Sequence, residues 1–190
     1  MNRKIAVWTT LLGIVFLLSM CFGQEEKKKP EAYSAVAMAT GGVAGGGMLG
    51  FNFSINEYTS DADLMRYATL LKEKGSDGLR RELEKPELGR IYPDAGIGNS
   101  IAIARKRQTA KGTVITIVTA RIMPFLELRN SGRSTDYEFG FLQVILNQAG
   151  EGTGSIIGAA RIKFNKKQGQ YEIESYGNQY IKVVNVRPHK

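Results

Sequence analysis

The chain has 190 residues, of which 26 are lysine or arginine and 18 are acidic, giving a formal net charge of +8. It contains one cysteine, Cys21, and one histidine, His189. A single cysteine excludes an internal disulfide, and this composition argues against thiolate or histidine metal sites and histidine-dependent triads. We therefore expect no catalytic residue of these classes, no metal ligands and no cofactor.

The N-terminal segment has the order of a bacterial export signal. Two basic residues near the start precede an uncharged run, Ile5 to Met20, and an abruptly polar stretch begins at Gln24. A basic start, an apolar middle and small residues before a cut are typical of a signal peptide. We assign residues 1–23 to the signal and expect cleavage after Gly23, which places the mature chain in the periplasm or outside the cell.

Two alternatives stay open for this segment. Leu18 and Ser19 resemble part of a lipoprotein cleavage box before Cys21, which would then carry a lipid anchor. Met20, however, is bulkier than the small residue normally found before such a cysteine. The second alternative is an uncleaved anchor, although sixteen apolar residues are fewer than the roughly 20 that cross a bilayer as a helix. We expect no membrane span in the mature chain.

The mature chain is basic and long enough for one domain. Residues 24–32 are a charged linker, and residues 33–190 are predicted to form a single β-rich domain. Without Arg3 and Lys4, 24 basic residues remain against 18 acidic ones, so the mature charge is about +6. Such an excess favours anionic partners such as envelope polysaccharide or lipid, although dispersed charges also suit a solvated surface. The basic runs lack interleaved aromatics, so we expect no nucleic-acid partner.

The first predicted elements are the strands Tyr33–Thr40 and Met48–Tyr58. In the second strand, Phe51, Phe53 and Ile55 alternate with polar residues, which is the pattern of a half-buried strand. The glycine run before it matches G-x-G-x-x-G literally. It leads into a strand and not into a helix, so it does not predict a dinucleotide site.

A helical hairpin is predicted next. Ser60 and Asp63 match a capping box, in which the hydroxyl and the carboxylate bind N–H groups at the helix start. The following apolar residues share one helix face: Leu64, Tyr67, Ala68 and Leu71. Gly75 ends this helix, and Ser76 begins a second, shorter one that ends before Pro86.

From Ile91 onward the sequence predicts β structure. The individual strands are Ser100–Arg107, Thr113–Arg121, Phe125–Arg129, Asp136–Asn147, Gly154–Phe164, Tyr171–Tyr176 and Tyr180–Arg187. Strands at this spacing with glycine-containing turns are typical of a β-sandwich or barrel. The predicted class is α+β: a mostly antiparallel sandwich or barrel of about eight strands with an early two-helix hairpin.

Carboxylates and aromatics are the remaining candidates for function. Glu127 alternates with Arg129, and Asp136 precedes Tyr137; we take these four as candidate binding residues. Two carboxyls about 5–9 Å apart would suit glycoside hydrolysis, but cross-strand ion pairs explain the same residues more simply. Most of the aromatics on predicted strands or at their ends should belong to the core, whereas a minority on a concave face would form a carbohydrate or lipid site. The full set of these aromatics is Phe51, Phe53, Phe125, Tyr137, Phe139, Phe141, Phe164, Tyr171, Tyr176 and Tyr180.

Four stretches carry a resemblance that covers nearly all of the mature chain: residues 58–85, 89–107, 134–146 and 162–186. They resemble a family of small exported bacterial proteins of uncharacterised function. The resemblance implies export and a single domain, and it assigns no activity. The leading hypothesis is an exported, non-enzymatic domain that binds a ligand or envelope component on a sheet face. The alternatives are a structural or assembly protein of the envelope and a carboxylate-dependent hydrolase.

The N-terminal interpretation predicts the mass of the exported protein. Mass spectrometry should find a mature N-terminus at Gln24 and no lipid. A lipid-modified Cys21 at the N-terminus would identify the lipid-anchored alternative, and an intact N-terminal segment would identify the uncleaved anchor.

Overall fold

The computed structural model of the protein describes four stretches of the chain, residues 29–38, 47–123, 136–176 and 180–189. The predicted cleavage and lipidation positions, Cys21, Gly23 and Gln24, lie outside these residues. The predicted strand Phe125–Arg129 also lies outside them.

The described residues form ten antiparallel strands in one sheet, with one helical segment, α1 (Asp61–Leu83). The strands are β1 (Glu31–Met38), β2 (Met48–Ile55), β3 (Gly89–Pro93), β4 (Asn99–Ser100), β5 (Ile103–Thr109), β6 (Gly112–Thr119), β7 (Phe139–Leu146), β8 (Gly152–Asn165), β9 (Gln170–Ser175) and β10 (Ile181–Pro188). Their order is β4-β3-β2-β1-β10-β8-β7-β6-β5, and β9 pairs with β8. The predicted antiparallel β class is confirmed, but the number of strands is ten and not about eight.

The two ends of this sheet are joined by one short piece of chain. Ile101 and Ala102 separate β4 from β5. The Ile101 N–H donates to the carbonyl of Gly89 at the start of β3 (2.9 Å), whereas the Ala102 N–H donates to the carbonyl of Val118 in β6 (2.9 Å). Neighbouring residues therefore bond to β3 and β6, which lie next to the opposite ends of the strand order, so the sheet is curled and barrel-like.

The inner face of the curled sheet holds the main core. Phe51, Phe53 and Ile55 of β2 are almost fully buried, as their alternation predicts. They pack with inward residues from the other strands, including Ile115, Ile117, Leu142, Val144, Ile156 and Val183. Burial of this aliphatic and aromatic surface supplies the main driving force for folding.

Helix α1 begins at the predicted cap. The Asp63 N–H donates to the Ser60 hydroxyl (3.0 Å), as expected for an N-cap. The Asp63 carboxylate accepts a hydrogen bond from that hydroxyl (2.6 Å) and pairs with Arg66 (3.1 Å), where the capping box predicts a bond to the Ser60 N–H. The predicted cap residue is thus correct, but the second hydrogen bond of the capping box is replaced by the ion pair between Asp63 and Arg66.

The predicted helical hairpin corresponds to one helical segment that is broken at Gly75. Gly75 has φ 71°, a left-handed value that favours glycine. Arg66 and Glu82 lie in different halves of the segment, yet their side chains pair at 2.6 Å. The chain therefore bends sharply at Gly75, which is the predicted end of the first helix.

The helix covers one part of the outer surface of the sheet. Tyr67, Leu71, Leu79 and Leu83 are buried and pack in a second core cluster with outward residues of β6–β8, namely Val118, Phe139, Ile157 and Ala160. The hydroxyl of Ser76, beside the break, donates to the carbonyl of Ile162 in β8 (2.6 Å). The segment is thus attached to β8 by apolar contacts and by a hydrogen bond.

Strand boundaries differ from the predictions mainly by a few residues. β1 begins at Glu31, inside the predicted linker, because its backbone already pairs with Ile55 of β2. β7 begins at Phe139, so Asp136 and Tyr137 precede it and are not part of it. β3 and β4 were not predicted as separate strands; β4 has only two residues and lacks a readable alternation.

In the described part of the chain, no helix combines the length and the apolar character that a membrane span requires.

The packing of α1 predicts a large effect of truncating Leu83, which is 1% exposed. Leu83→Ala should lower the free energy of unfolding by about 2–5 kcal/mol, because it removes buried methyl groups and leaves a cavity. Met65→Ala on the same helix, at a side chain that is 74% exposed, should change it by less than about 0.5 kcal/mol. Urea unfolding of both variants tests this, and equal effects would contradict the observed helix orientation.

Candidate functional site

The outer face of β3, β2, β1 and β10 lies away from the α1 contacts. Since Tyr33 and Phe53 face the core, the neighbouring Ser34 and Asn52 face outward. The strand register aligns Tyr92 with Asn52, Asn52 with Ser34, and Ser34 with Arg187. With strands about 4.8 Å apart, these four residues form an outward row about 14 Å long. We call it the polar row.

A cleft of about 480 Å³ lies beside the polar row. Its floor consists of small or medium side chains from the central strands, Ser34 and Val36 of β1 and Gly50 of β2. Asp94 follows β3, and Glu151 lies in the turn between β7 and β8; both line the cleft, together with Arg187 of β10. Five separate chain segments therefore contribute to this surface.

A β-bulge in β10 shapes one side of the cleft. The register of β10 shifts between Val183 and Val186 against β8, and it shifts at the same place against β1. Asn185, the extra residue, has φ 52° and lines the cleft. Bulges commonly redirect side chains beside functional sites, and asparagine is among the residues that tolerate a left-handed conformation.

The carboxylate of Asp94 is held against the sheet. The Asp94 N–H donates to the carbonyl of Gly50 (3.1 Å), and the Asn52 side-chain amide donates to Oδ1 of Asp94 (2.9 Å). Oδ2 lies where a Cβ at position 50 would be, so any larger residue there would displace the carboxylate. Oδ2 accepts no hydrogen bond from the described residues. Glycine at position 50 thus lets the Asp94 carboxylate lie close against the backbone of β2.

Of the four sequence-predicted binding residues, two can be located. Asp136 lies 3.6 Å from the guanidinium of Arg161, and both side chains are exposed. The ring of Tyr137 packs edge-on against Tyr176, with centroids 5.3 Å apart. Glu127 and Arg129 lie outside the described residues. The structure places neither Asp136 nor Tyr137 in the cleft.

The neighbouring Glu138 joins β7 to the helix. Its Oε1 lies 3.0 Å from Nε of Arg80. Burial raises the pKa of Glu138, and the charge of Arg80 offsets this effect only in part. This pair connects two packed elements, and the contacts that involve it indicate a structural role.

A second polar cluster lies at the start of β1. The carboxylate of Glu31 accepts hydrogen bonds from the hydroxyls of Tyr33 and Tyr58 (2.9 Å each) and pairs with Lys106 of β5 (2.9 Å). Partial burial would raise the pKa of Glu31, but the hydrogen bonds from Lys106, Tyr33 and Tyr58 outweigh it and lower the pKa. Burial and the bond to Glu31 raise the pKa of both tyrosines. The groups satisfy one another, so this cluster is better explained as a structural connection between β1 and β5.

A smaller cleft of about 340 Å³ lies near the end of α1 and includes Glu84, Glu87 and Arg121. Glu84 is already paired with Arg80 (2.7 Å). Among the residues that the structure describes, no group of three or more histidine, cysteine or acidic side chains is placed to hold a metal ion.

Comparisons with known proteins assign no family. No family model matches the chain, and neither the curated proteins nor the solved structures give a significant match. The resemblance to small exported bacterial proteins therefore stays a prediction, and the function has to be argued from the surface itself.

Sequence reasoning did not identify the cleft. A signal for the neighbouring polar row was present in the polar half of the β2 alternation, where Asn52 lies between Phe51 and Phe53. Asp94 and Arg187 carry no local pattern, because only the strand register brings them to one face.

The Glu31 cluster predicts a pH-dependent contribution to stability. Because the pKa of Glu31 is lowered from its ordinary value of 4.5 on folding, its contribution is present above that pH and is lost as the pH falls through the folded-state pKa. Glu31→Gln should cost about 1 kcal/mol of unfolding free energy at pH 7 and much less at pH 3.

Urea unfolding at both pH values measures the difference. Glu57→Gln, at an exposed carboxylate after β2, is the matched control and should have little effect at either pH. A cost of Glu31→Gln that is the same at pH 3 and pH 7 would contradict the assigned role of the carboxylate.

Proposed function

We propose that this chain is exported and that its β domain is a non-enzymatic binding module for a polar component of the cell envelope. The ligand binds on the outer face of β3, β2, β1 and β10. The observation that carries the proposal is the cleft of about 480 Å³, in which Asp94, Glu151 and Arg187 surround a floor of small side chains. The N-terminal pattern supports the cellular location.

The composition of the cleft supports binding of a polar ligand. Its volume falls within the range of about 300–1,000 Å³ that is usual for small-ligand sites. The floor residues Ser34 and Gly50 leave space above the sheet, while Asp94 and Arg187 provide an acceptor and several donors around it. A few polar groups around a shallow floor are suited to orienting a ligand.

The position of the site on a sheet supports rigid presentation. The main-chain ladders fix Ser34 and Asn52 directly, and the Asn52 amide in turn holds Asp94. Sites built on strands keep their geometry more reliably than sites built on loops alone. A preformed surface lowers the entropic cost of binding.

Binding by the mature chain, residues 24–190, tests the proposal. The probes are peptidoglycan fragments, neutral and acidic oligosaccharides, and vesicles that contain anionic lipid. We expect saturable binding to at least one saccharide probe, and Arg187→Ala should weaken it at least about tenfold, because a hydrogen bond to a charged group contributes about 1.5–3 kcal/mol.

Arg107→Ala is the matched control, since Arg107 is an exposed arginine of β5 on another part of the surface. It should leave the affinity unchanged. Equal losses for both arginine variants would show that only net charge matters, and the absence of binding to every probe would overturn the proposed function. Binding to lipid vesicles alone would favour the envelope-assembly alternative.

A further inference from the structure

We infer that the cleft selects a neutral, hydroxyl-rich ligand, a saccharide without acidic groups, and that Asp94 determines this selectivity. The inference rests on the proposed function and specifies its ligand class. It runs against the overall charge of +8, which by itself favours anionic partners.

The local charge of the cleft differs in sign from that of the whole chain. Among its lining residues, Asp94 and Glu151 are acidic, and Arg187 is the one basic residue. An anionic group near Asp94 would be separated from it by a few ångströms within a partly enclosed surface, where like charges repel more strongly than in bulk water. The cleft is therefore a poor site for a carboxylate, sulfate or phosphate.

The hydrogen-bonding chemistry of the cleft leads to the same ligand class. The carboxylate of Asp94 can only accept hydrogen bonds, and the guanidinium of Arg187 can only donate them. A hydroxyl group does both, so a ligand with several hydroxyls can satisfy both ends of the cleft. A simple anion could bind Arg187 but would offer no proton to Asp94, and an ammonium group would offer nothing to Arg187.

The geometry at Gly50 makes Asp94 a fixed acceptor. Asn52 holds Oδ1 at 2.9 Å, and the backbone N–H of Asp94 is bound to the carbonyl of Gly50. Oδ2 lies over the bare backbone of Gly50. Because the carboxylate is already oriented, little conformational entropy is lost when a ligand hydroxyl donates a hydrogen bond to Oδ2.

The Asn185 bulge adds groups of both kinds at the opposite side. Its side-chain amide offers an acceptor oxygen and a donor nitrogen. The extra residue of a bulge is also left unpaired in the regular ladder, so its main-chain N–H and C=O groups are not taken up by strand pairing as those of its neighbours are. Mixed donors and acceptors without added charge again suit a neutral polar ligand.

The test compares neutral and acidic oligosaccharides of equal length, using glucan, chitin and mannan hexamers against hexagalacturonate and a sulfated hexamer. Isothermal titration calorimetry on the mature chain should show at least tenfold tighter binding for one of the neutral hexamers than for either acidic one. Asp94→Asn should weaken the neutral ligand at least fivefold and strengthen the acidic ligands. Gly50→Ala should likewise weaken the neutral ligand, because the added methyl group displaces the carboxylate.

Asp77→Asn, which removes one negative charge from α1, is the control and should leave both affinities unchanged. Thermal unfolding of each variant confirms that the fold is retained. Equal or tighter binding of an acidic hexamer by the wild-type chain would overturn the inference while leaving the proposed function standing. Binding of none of the hexamers, together with no effect of Arg187→Ala on any probe, would remove the proposed function itself.

Discussion

The partner change at Ile101 and Ala102 is the constraint on which the rest of the fold depends. One residue bonds to β3 and the next to β6, so the two ends of the strand order are tied through adjacent peptide groups. A sheet held in this way must curl, and its inner face then encloses the apolar residues of every long strand. β4 is a two-residue edge strand that pairs only with β3, and the short link to β5 holds it beside the other end of the sheet.

The outer surface of the curled sheet has two regions of different character. Over β6, β7 and β8, outward residues such as Val118 and Ile157 are apolar, and α1 covers them. Over β3, β2, β1 and β10, the outward residues include the polar row and Gly50 beside the apolar Val36 and Met38, and the polar row is partly exposed. The same two-residue alternation thus produces a face that the helix covers or a face that it leaves open, depending on what the sequence places at the outward positions.

The extent to which the sequence predicts this structure depends on whether a feature is local. The β2 alternation and the position of the helix cap at Ser60 act over a few residues and were predicted correctly. The predicted two-helix hairpin is one helical segment in the structure, and the predicted helix end at Gly75 coincides with its break. The bulge at Asn185 and the contact of Asp94 with Asn52 depend on registers between strands far apart in the chain. Hydrophobic periodicity identifies strands, but it contains no information on which strands become neighbours. The search for chemistry in the sequence therefore selected Asp136 and Tyr137, which share a local pattern and lie away from the cleft.

Overall charge and local charge act on binding at different stages. Lysines and arginines spread over the surface are screened beyond about 8 Å at physiological ionic strength, so they influence the approach of a charged polymer more than its docked position. Selectivity is set by groups in direct contact with the ligand, where unpaired polar atoms and like charges carry a high cost. In the proposed site those groups would be the Asp94 carboxylate, the Arg187 guanidinium and Asn185 at the bulge. Under the proposed function, the summed positive charge would steer the protein toward an acidic envelope surface, whereas Asp94 and its neighbours would select a neutral saccharide there.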